Sequence, residues 1–420
     1  MDIYDIIHGN INIDSLAKRI IDTEEFQRLR NIKQLGCCNF VFPSATHTRF
    51  EHSLGVYHLA KKYIQILNTD TQFTDNDIKC ITIGALIHDI GHGPYSHLFD
   101  EIVDKNKNHE YRSIELLKLM NHKYNLELSD NDIIQIKKII YPINISCKKD
   151  KKYLYQIVSN NNGIDVDRFD YIIRDIKMTG LNYGIEYERI MNHSQIIDGE
   201  IVYSEKVKTS IDEFFRIRFI MYKEVYNHHT VRAIEYMMKD FIKGMDKIIN
   251  ISNIIENEVW EDFIRLNDSI IDRIYQYKKM INHITFTNLW PDFQNYDSCS
   301  FWKIEKDIKS DQAVQNKIKI INKLIELIDN IRIRNIYKSV GEIISDSKIQ
   351  LDGYNTEHII VDSVKLSYNG KLRCKYIQNR ETINKSLKIQ NKDEYITTIY
   401  YKSDLFKKEA EDLFKRLKDI

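Results

Sequence analysis

Glycine and proline are scarce here, 14 and 4 residues in a chain of 420. So few helix breakers favour long uninterrupted helices over a loop-rich fold. The abundance of Ile, Asn and Lys points to a compositional bias that would deplete both residues anyway, so periodicity has to carry the inference. Net charge is also missing. Lys plus Arg and Asp plus Glu are both 61, so the whole-molecule field gives no reason to expect a dedicated nucleic-acid binder, and any such role must rest on local patches. The six cysteines, at positions 37, 38, 80, 147, 299 and 374, form no CxxC pair, and adjacent Cys37 and Cys38 are ill suited to a disulfide framework. A reducing compartment is expected. No apolar run of about 18 residues occurs, and the opening MDIYDIIHGN carries two acids and no basic segment. Together these predict a soluble intracellular protein with no membrane partner. What the chain does have is 43% hydrophobic and 29% charged residues, enough for a sizeable core and too much for a disordered or fibrous chain.

Apolar residues recur at three- and four-residue spacing in segments 15–35, 52–67, 76–90, 110–124 and 130–140, the amphipathic helical signal. Segments 165–179, 186–197 and 209–250 continue it, the last being long enough to need two helices or a bend. Glu200 to Lys206 alternates and reads as a strand of a small hairpin. From about Ile359 the composition shifts to Val, Ile, Thr and Tyr in HIIVDSVKLSY and DEYITTIYYK, as strands do, and a last helix is expected near 403–418. The fold class is therefore mainly α. Residues 1–345 form the helical body and 346–420 a smaller α+β lobe with a soft boundary.

The chemistry concentrates in HDIGHGPYSHLFD, His88 to Asp100. Adjacent helical residues point about 100° apart, so His88 and Asp89 converge on one ion most easily where a helix is ending, and Gly91 is expected to end it. An imidazole nitrogen and a carboxylate oxygen can then approach one metal at about 2.0 to 2.2 Å. RFEHSLGV supplies a third candidate, His52, and DVDRFDYIIRD a fourth, Asp167. Helical bundles build internal metal sites in this way, from several helices, and two imidazoles with two carboxylates suit Fe, Mn, Zn or Ni. An HD pair alone is weak evidence. Four imidazoles, His88, His92, His97 and His109, together with Asp100 in so short a span, are harder to ascribe to packing and suit proton transfer. Asp167, Tyr171 and Asp175 are spaced i, i+4, i+8 on one helical face, and Arg218, Tyr222 and Tyr226 repeat that spacing. Such faces make poor core stripes and plausible cavity walls.

With these motifs in place, IIHGNINIDSLAKRIIDTEEFQRLRNIKQLG, VFPSATHTRFEHSLGV, HDIGHGPYSHLFD, NGIDVDRFDYIIRD and RIRNIYKSVGE resemble, in order and over nearly the whole chain, the SAM- and HD-domain-containing deoxynucleoside triphosphate triphosphohydrolase family. A counterpart of that family's SAM domain is not expected here. The resemblance implies an HD-domain helical bundle and hydrolysis of a dNTP to deoxynucleoside and triphosphate, with a transition metal and Mg²⁺. It implies metal ligands His52, His88, Asp89 and Asp167; catalytic His92, Asp100 and His109, with His97 near the scissile phosphate; and substrate contacts at Gln34, Leu35, Arg49, Arg168, Tyr171, Asp175, Arg218 and Tyr226. Arg168 stands where the family has Lys, and Asn227 where it has Gln.

The resemblance also implies a homotetramer activated by GTP or dNTP. Asp22, Gln27 and Arg30 match a guanine-nucleotide site, and Arg189, Lys206, Arg334 and Lys338 match phosphate contacts of a second site. Met1, Ser204 and His229 replace family cations. Each charge-assisted contact is worth roughly 1.5 to 3 kcal/mol, so nucleotide activation is expected to be weaker, altered or absent. Two alternatives stay open. One is an HD phosphohydrolase of other nucleotides; the other is a non-catalytic nucleotide- or nucleic-acid-binding module, for which residues 365–392, with eight Lys/Arg against one Glu, are the candidate surface.

Overall fold

The computed structural model describes residues 1–68, 73–142, 149–286, 311–347, 349, 356–367, 372–378, 381–387 and 393–418. The side chains of most of the basic segment 365–392, and Cys147 and Cys299, lie outside the described residues.

The chain opens with an antiparallel hairpin, Asp2–Asp5 paired with Gly9–Asn12. The expected helix over 15–35 is broken. Ser15–Ile21 stops, Thr23 caps a new turn by accepting from the Phe26 amide, and Glu24–Gln27 runs into the 3-10 turn Arg28–Asn31. A threonine whose hydroxyl caps a turn competes with helix continuation. The body is then built on Arg49–Leu67, which packs against Asp75–Ile87 and Val166–Thr179, while Asp130–Ile140 covers Asp75–Ile87. Thr48 with Glu51, Thr74 with Asp77 and Ser129 with Asp132 form reciprocal capping boxes that fix three of these starts. Val166–Thr179 begins at the Asp165 cap and ends at Gly180, whose φ of 76° is the left-handed conformation glycine tolerates best.

Segment 209–250 divides as its length demands, into Lys208–Met221, a π turn over Tyr222–Tyr226, and His229–Ile249. Single π turns often mark functional positions. Segment 186–197 is helical only over Tyr187–Asn192 and then becomes the strand Ser194–Ile197, which pairs with Glu200–Ser204. The turn at Asp198 and Gly199 takes positive φ at both residues. A two-residue hairpin needs that geometry, and it draws the preceding four residues out of the helix.

Two small sheets complete the chain. Lys338–Ser345 and Ile359–Ser367 flank Asp393–Tyr401 in an antiparallel sheet covered by Lys407–Lys418, with Ile359, Val361, Ile399, Leu413 and Leu417 between them. The first of these strands ends at 345, so this sheet draws on residues before the expected boundary. Leu372–Gln378 and Glu381–Leu387 join the hairpin at 194–204, with Tyr203 pairing parallel to Tyr376. No described helix is long and apolar enough to cross a membrane.

Candidate metal centre and active-site cleft

Three buried guanidiniums fix the loop after Asp75–Ile87. Arg28 donates to the carbonyls of Ile90 (2.9 Å), Leu266 (3.0 Å) and His92, and Arg112 donates to Gly91 O (2.7 Å) and Asp100 Oδ1 (2.5 Å). Arg49 Nη1 reaches Asp89 Oδ2 at 2.5 Å and its Nε reaches Ser96 Oγ at 3.0 Å. The helix ends at Ile87, so Gly91 does not cap it. A Cβ on Gly91 would stand 2.1 Å from His109 O, and its glycine is required by the close approach of the His109–Tyr124 helix. Tyr95 and Ser96 both take positive φ, 61° and 58°, a local strain that Asp268 and Lys33 hold through Tyr95 N (2.7 Å) and Ser96 Oγ (2.6 Å). Strain of this kind gathers at functional loops.

His52 comes from the first turn of Arg49–Leu67, His88 and Asp89 from the end of Asp75–Ile87, and Asp167 from the start of Val166–Thr179. The two Nε2 atoms face each other at 3.2 Å, and Asp167 Oδ1 lies 3.1 Å from the first and 3.5 Å from the second. Asp89 Oδ2 is 3.5 Å from both. Both far nitrogens are tied off. His88 Nδ1 donates to Ala85 O at 2.8 Å, and His52 Nδ1 donates to Asp170 Oδ2 at 2.7 Å. A carbonyl and a carboxylate can only accept, so each neutral ring carries its proton on Nδ1 and presents the Nε2 lone pair inward.

Three acceptors, from His52, His88 and Asp167, then point at one spot, with Asp89 Oδ2 beside them and held by Arg49, and such a spot holds a proton or a metal ion. Burial alone would lower the pKa of His52, but hydrogen bonds to Asp167 and Asp170 push it up to about 10. Burial opposes ionisation of Asp89, yet Arg49, His88 and His92 keep its carboxyl well below the usual range. Packing away from water works the same way on Asp167, and His52 and His88 again outweigh it. The donor set therefore fits a divalent cation.

A second cluster lies one carboxylate away. Asp89 Oδ1 is 3.3 Å from His92 Nε2, His92 stacks on His109 at 3.9 Å, and His109 Nδ1 donates to Asp100 Oδ2 at 2.6 Å. His97 stands at the mouth with 70% of its side chain exposed. Burial, then Arg49 and His109, hold His92 well below the ordinary imidazole value, so it is neutral.

Both clusters border a cavity of about 520 Å³. Gln34, Leu35, Arg49, Arg168, Tyr171, Asp175, Arg218 and Tyr226 all line it, as do His88, Asp89, His97, His109 and Asp167. Asp175 accepts from His47 Nε2 (2.7 Å) and Tyr226 Oη (2.6 Å). Arg168 is engaged by Asp165. Arg218 packs over the Tyr222 ring, and its buried Nε has no hydrogen-bond partner among the described residues. Sequence reasoning missed Arg232 and Glu235 in the lining, His47 behind Asp175, and Asp170 behind His52. Only the i, i+4 pair Asp170 and Arg174 left a trace in the sequence.

The positions expected to be regulatory are locally paired, and all are exposed except half-buried Gln27. Gln27 accepts from Arg30 (2.7 Å), Asp22 meets Lys18 (2.5 Å), Arg189 donates to Lys206 O (3.4 Å), Arg334 to Phe40 O, and Lys338 meets Asp404 (2.9 Å). No hydrogen bond or ion pair joins Arg189 and Lys206 to Arg334 and Lys338 among the described residues.

Gly55 shows how tightly the ligand shell is packed. A Cβ there would lie 1.9 Å from Asp170 Oδ1 and 2.6 Å from Arg174 Nη2. Gly55→Ala is expected to destabilise the fold by roughly 1 to 3 kcal/mol, read as a lower melting temperature; a parent-like value would show that the network yields.

Residues 49–175 match the HD domain model and 185–324 the HD associated region. A deoxynucleoside triphosphate triphosphohydrolase SAMHD1 homolog of Dictyostelium discoideum is 34% identical over 95% of this chain and 70% of its own length. A putative HD domain-containing protein of Acanthamoeba polyphaga mimivirus is 39% identical over 80% and 72%. The Bos taurus deoxynucleoside triphosphate triphosphohydrolase SAMHD1 is 31% identical over 87% and 66%. An HD domain implies a divalent metal, which the acceptor geometry at His52, His88 and Asp167 independently suits. The chain belongs to the SAMHD1-like family of HD-domain deoxynucleoside triphosphate triphosphohydrolases.

Proposed function

We propose that this protein hydrolyses deoxynucleoside triphosphates to deoxynucleoside and triphosphate, with His52, His88, Asp89 and Asp167 holding one transition metal, Fe, Zn, Mn or Ni, and Mg²⁺ accompanying the nucleotide. The carrying observation is the convergence of acceptors at His52, His88 and Asp167, of which His88 and Asp167 line a nucleotide-sized cleft with Arg49, Arg168 and Arg218, and His52 lies behind them. Bound there, the metal would supply Lewis acidity at the phosphoryl group and make water a better nucleophile.

The chain's own residues do the rest. Arg49, Arg168 and Arg218 neutralise the triphosphate, and the unpartnered Nε of Arg218 gains the acceptor its burial demands. Asp175, held by His47 and Tyr226, takes the sugar hydroxyl, and Tyr226 with Tyr171 crowds the position a 2'-hydroxyl would occupy. Gln34 and Leu35 face the sugar and base. His92, His97 and His109, the last oriented by Asp100, pass a proton to the leaving 5' oxygen.

Product analysis by ion-exchange chromatography with each of the eight dNTPs and NTPs tests this reading, run with and without GTP and with oligomeric state followed in parallel. Deoxynucleoside plus triphosphate is the expected outcome. Monophosphate plus pyrophosphate would refute it, and equal hydrolysis of GTP and dGTP would sink the preference for deoxyribose.

A further inference from the structure

The Asp170 carboxylate is fully buried and accepts four hydrogen bonds. Oδ1 takes His8 Nε2 at 2.7 Å and Arg174 Nη2 at 2.9 Å; Oδ2 takes His52 Nδ1 at 2.7 Å and Arg174 Nε at 2.9 Å. One of those donors comes from far away. His8 lies in the turn of the N-terminal hairpin, and its side chain is 1% exposed. The same turn is tied by Asp5, whose Oδ1 accepts from the amides of Ile7 and His8 at 2.9 Å each and whose Oδ2 receives Arg174 Nη1 at 2.8 Å. Arg174 therefore bridges two carboxylates, and His8 closes the ring between them.

We propose that the N-terminal hairpin is a positioning clip for the metal centre: His8 and Arg174 orient Asp170, and Asp170 fixes the ring angle and Nδ1-protonated tautomer of His52, leaving Nε2 open toward Asp167 and His88. The physical ground is that an imidazole can rotate about its Cβ–Cγ bond, and only its far nitrogen can be fastened without occupying the ligand atom. The carboxylate that fastens it must itself be immobile. With no solvent contact, Asp170 depends on its donors, and removing His8 leaves Oδ1 with Arg174 Nη2 alone and the carboxylate without the donor that ties it to the hairpin. His8 touches neither metal nor substrate, so it is a positioning residue. The inference rests on the metal centre proposed above and extends it to residues 5 and 8, which lie outside the stretch 49–175 that matches the HD domain model.

Cobalt binding tests the clip without any nucleotide. Co²⁺ is titrated into metal-stripped parent, His8→Gln and His8→Leu, with affinity and the visible ligand-field spectrum as readouts. The Gln side chain can place an N–H near the position of Nε2, and Leu cannot. His8→Leu is expected to bind Co²⁺ about 10- to 100-fold more weakly with an altered spectrum, and His8→Gln to recover most of both. A general loss of stability would lower both melting temperatures and leave the spectra alike. Parent-like affinity and spectrum in His8→Leu would overturn the clip while leaving the metal centre standing, whereas a parent that binds no Co²⁺ would overturn both. If His8→Leu does not fold, Asp170→Asn, of nearly equal volume, takes its place, and parent-like Co²⁺ binding there would equally overturn the clip. A parent that binds Co²⁺ but releases no triphosphate would refute the proposed reaction alone.

Discussion

His88→Ala should purify without its metal and hydrolyse dNTPs at least about a thousandfold more slowly, the loss expected when a centre of transition-state charge stabilisation goes. The expectation follows from how the site is tied. With His88 present, two imidazoles direct Nε2 lone pairs at one point, because Ala85 O and Asp170 hold their other nitrogens. Without it, His52 remains beside two carboxylates, and Asp89 is already engaged by Arg49 at 2.5 Å. Metal content and steady-state turnover, with circular dichroism to confirm the fold, check the prediction.

The experiment also decides between two clusters, since His92, His97, Asp100 and His109 likewise bring four donor atoms together. That second group is the poorer cation site. Both Asp100 oxygens already hold a donor, His109 on Oδ2 and Arg112 on Oδ1, whereas Asp167 Oδ1 in the first group faces the Nε2 atoms of His52 and His88. Metal retained in His88→Ala and lost in His109→Ala would reverse the assignment.

Most of this centre was legible in the sequence because its residues sit in short motifs whose spacing survives folding. The face Asp167, Tyr171, Asp175 lines the cleft as period 3.6 predicts, and Arg218, Tyr222 and Tyr226 line it too although a π turn takes over at Tyr222. Of the eight positions that family likeness gives as substrate contacts, Tyr171, Asp175, Arg218 and Tyr226 lie on those two faces, whereas Gln34, Leu35, Arg49 and Arg168 came through the likeness alone; all eight line the same cavity. What stayed hidden depends on long-range partners. His8 meets Asp170 across 162 positions, and His47 meets Asp175 across 128; no local pattern encodes such pairs. The same holds for the fold. Helix Val166–Thr179 announces itself through Asp165 and Gly180, whereas the break at Thr23 and the turn at Asp198–Gly199 were submerged in hydrophobic periodicity that continued across them. The addition of Leu372–Gln378 to the hairpin at 194–204 is a tertiary pairing with no signature in either strand.

His109→Gln should keep its metal and lose about 10² to 10⁴ in turnover, the range in which a positioned acid or base contributes. Its Nδ1 donates to Asp100, and its ring stacks on neutral His92, whose Nε2 stands 3.3 Å from Asp89. Burial raises the Asp100 carboxyl, but the hydrogen bond from His109 and the Arg112 guanidinium overcome it, so Asp100 remains ionised and orients its imidazole rather than taking the proton. If the pair acts as one device, Asp100→Asn should cost a comparable amount and the double variant little more than either alone, since residues that work as a unit lose their effect together. Single-turnover rates on metal-loaded protein measure the cycle at fixed metal occupancy. Losses that multiply would assign the two residues independent roles. Parent-like turnover in His109→Gln would instead leave exposed His97, whose ring lies 4.9 Å from that of His92, to deliver the proton from the mouth of the cleft.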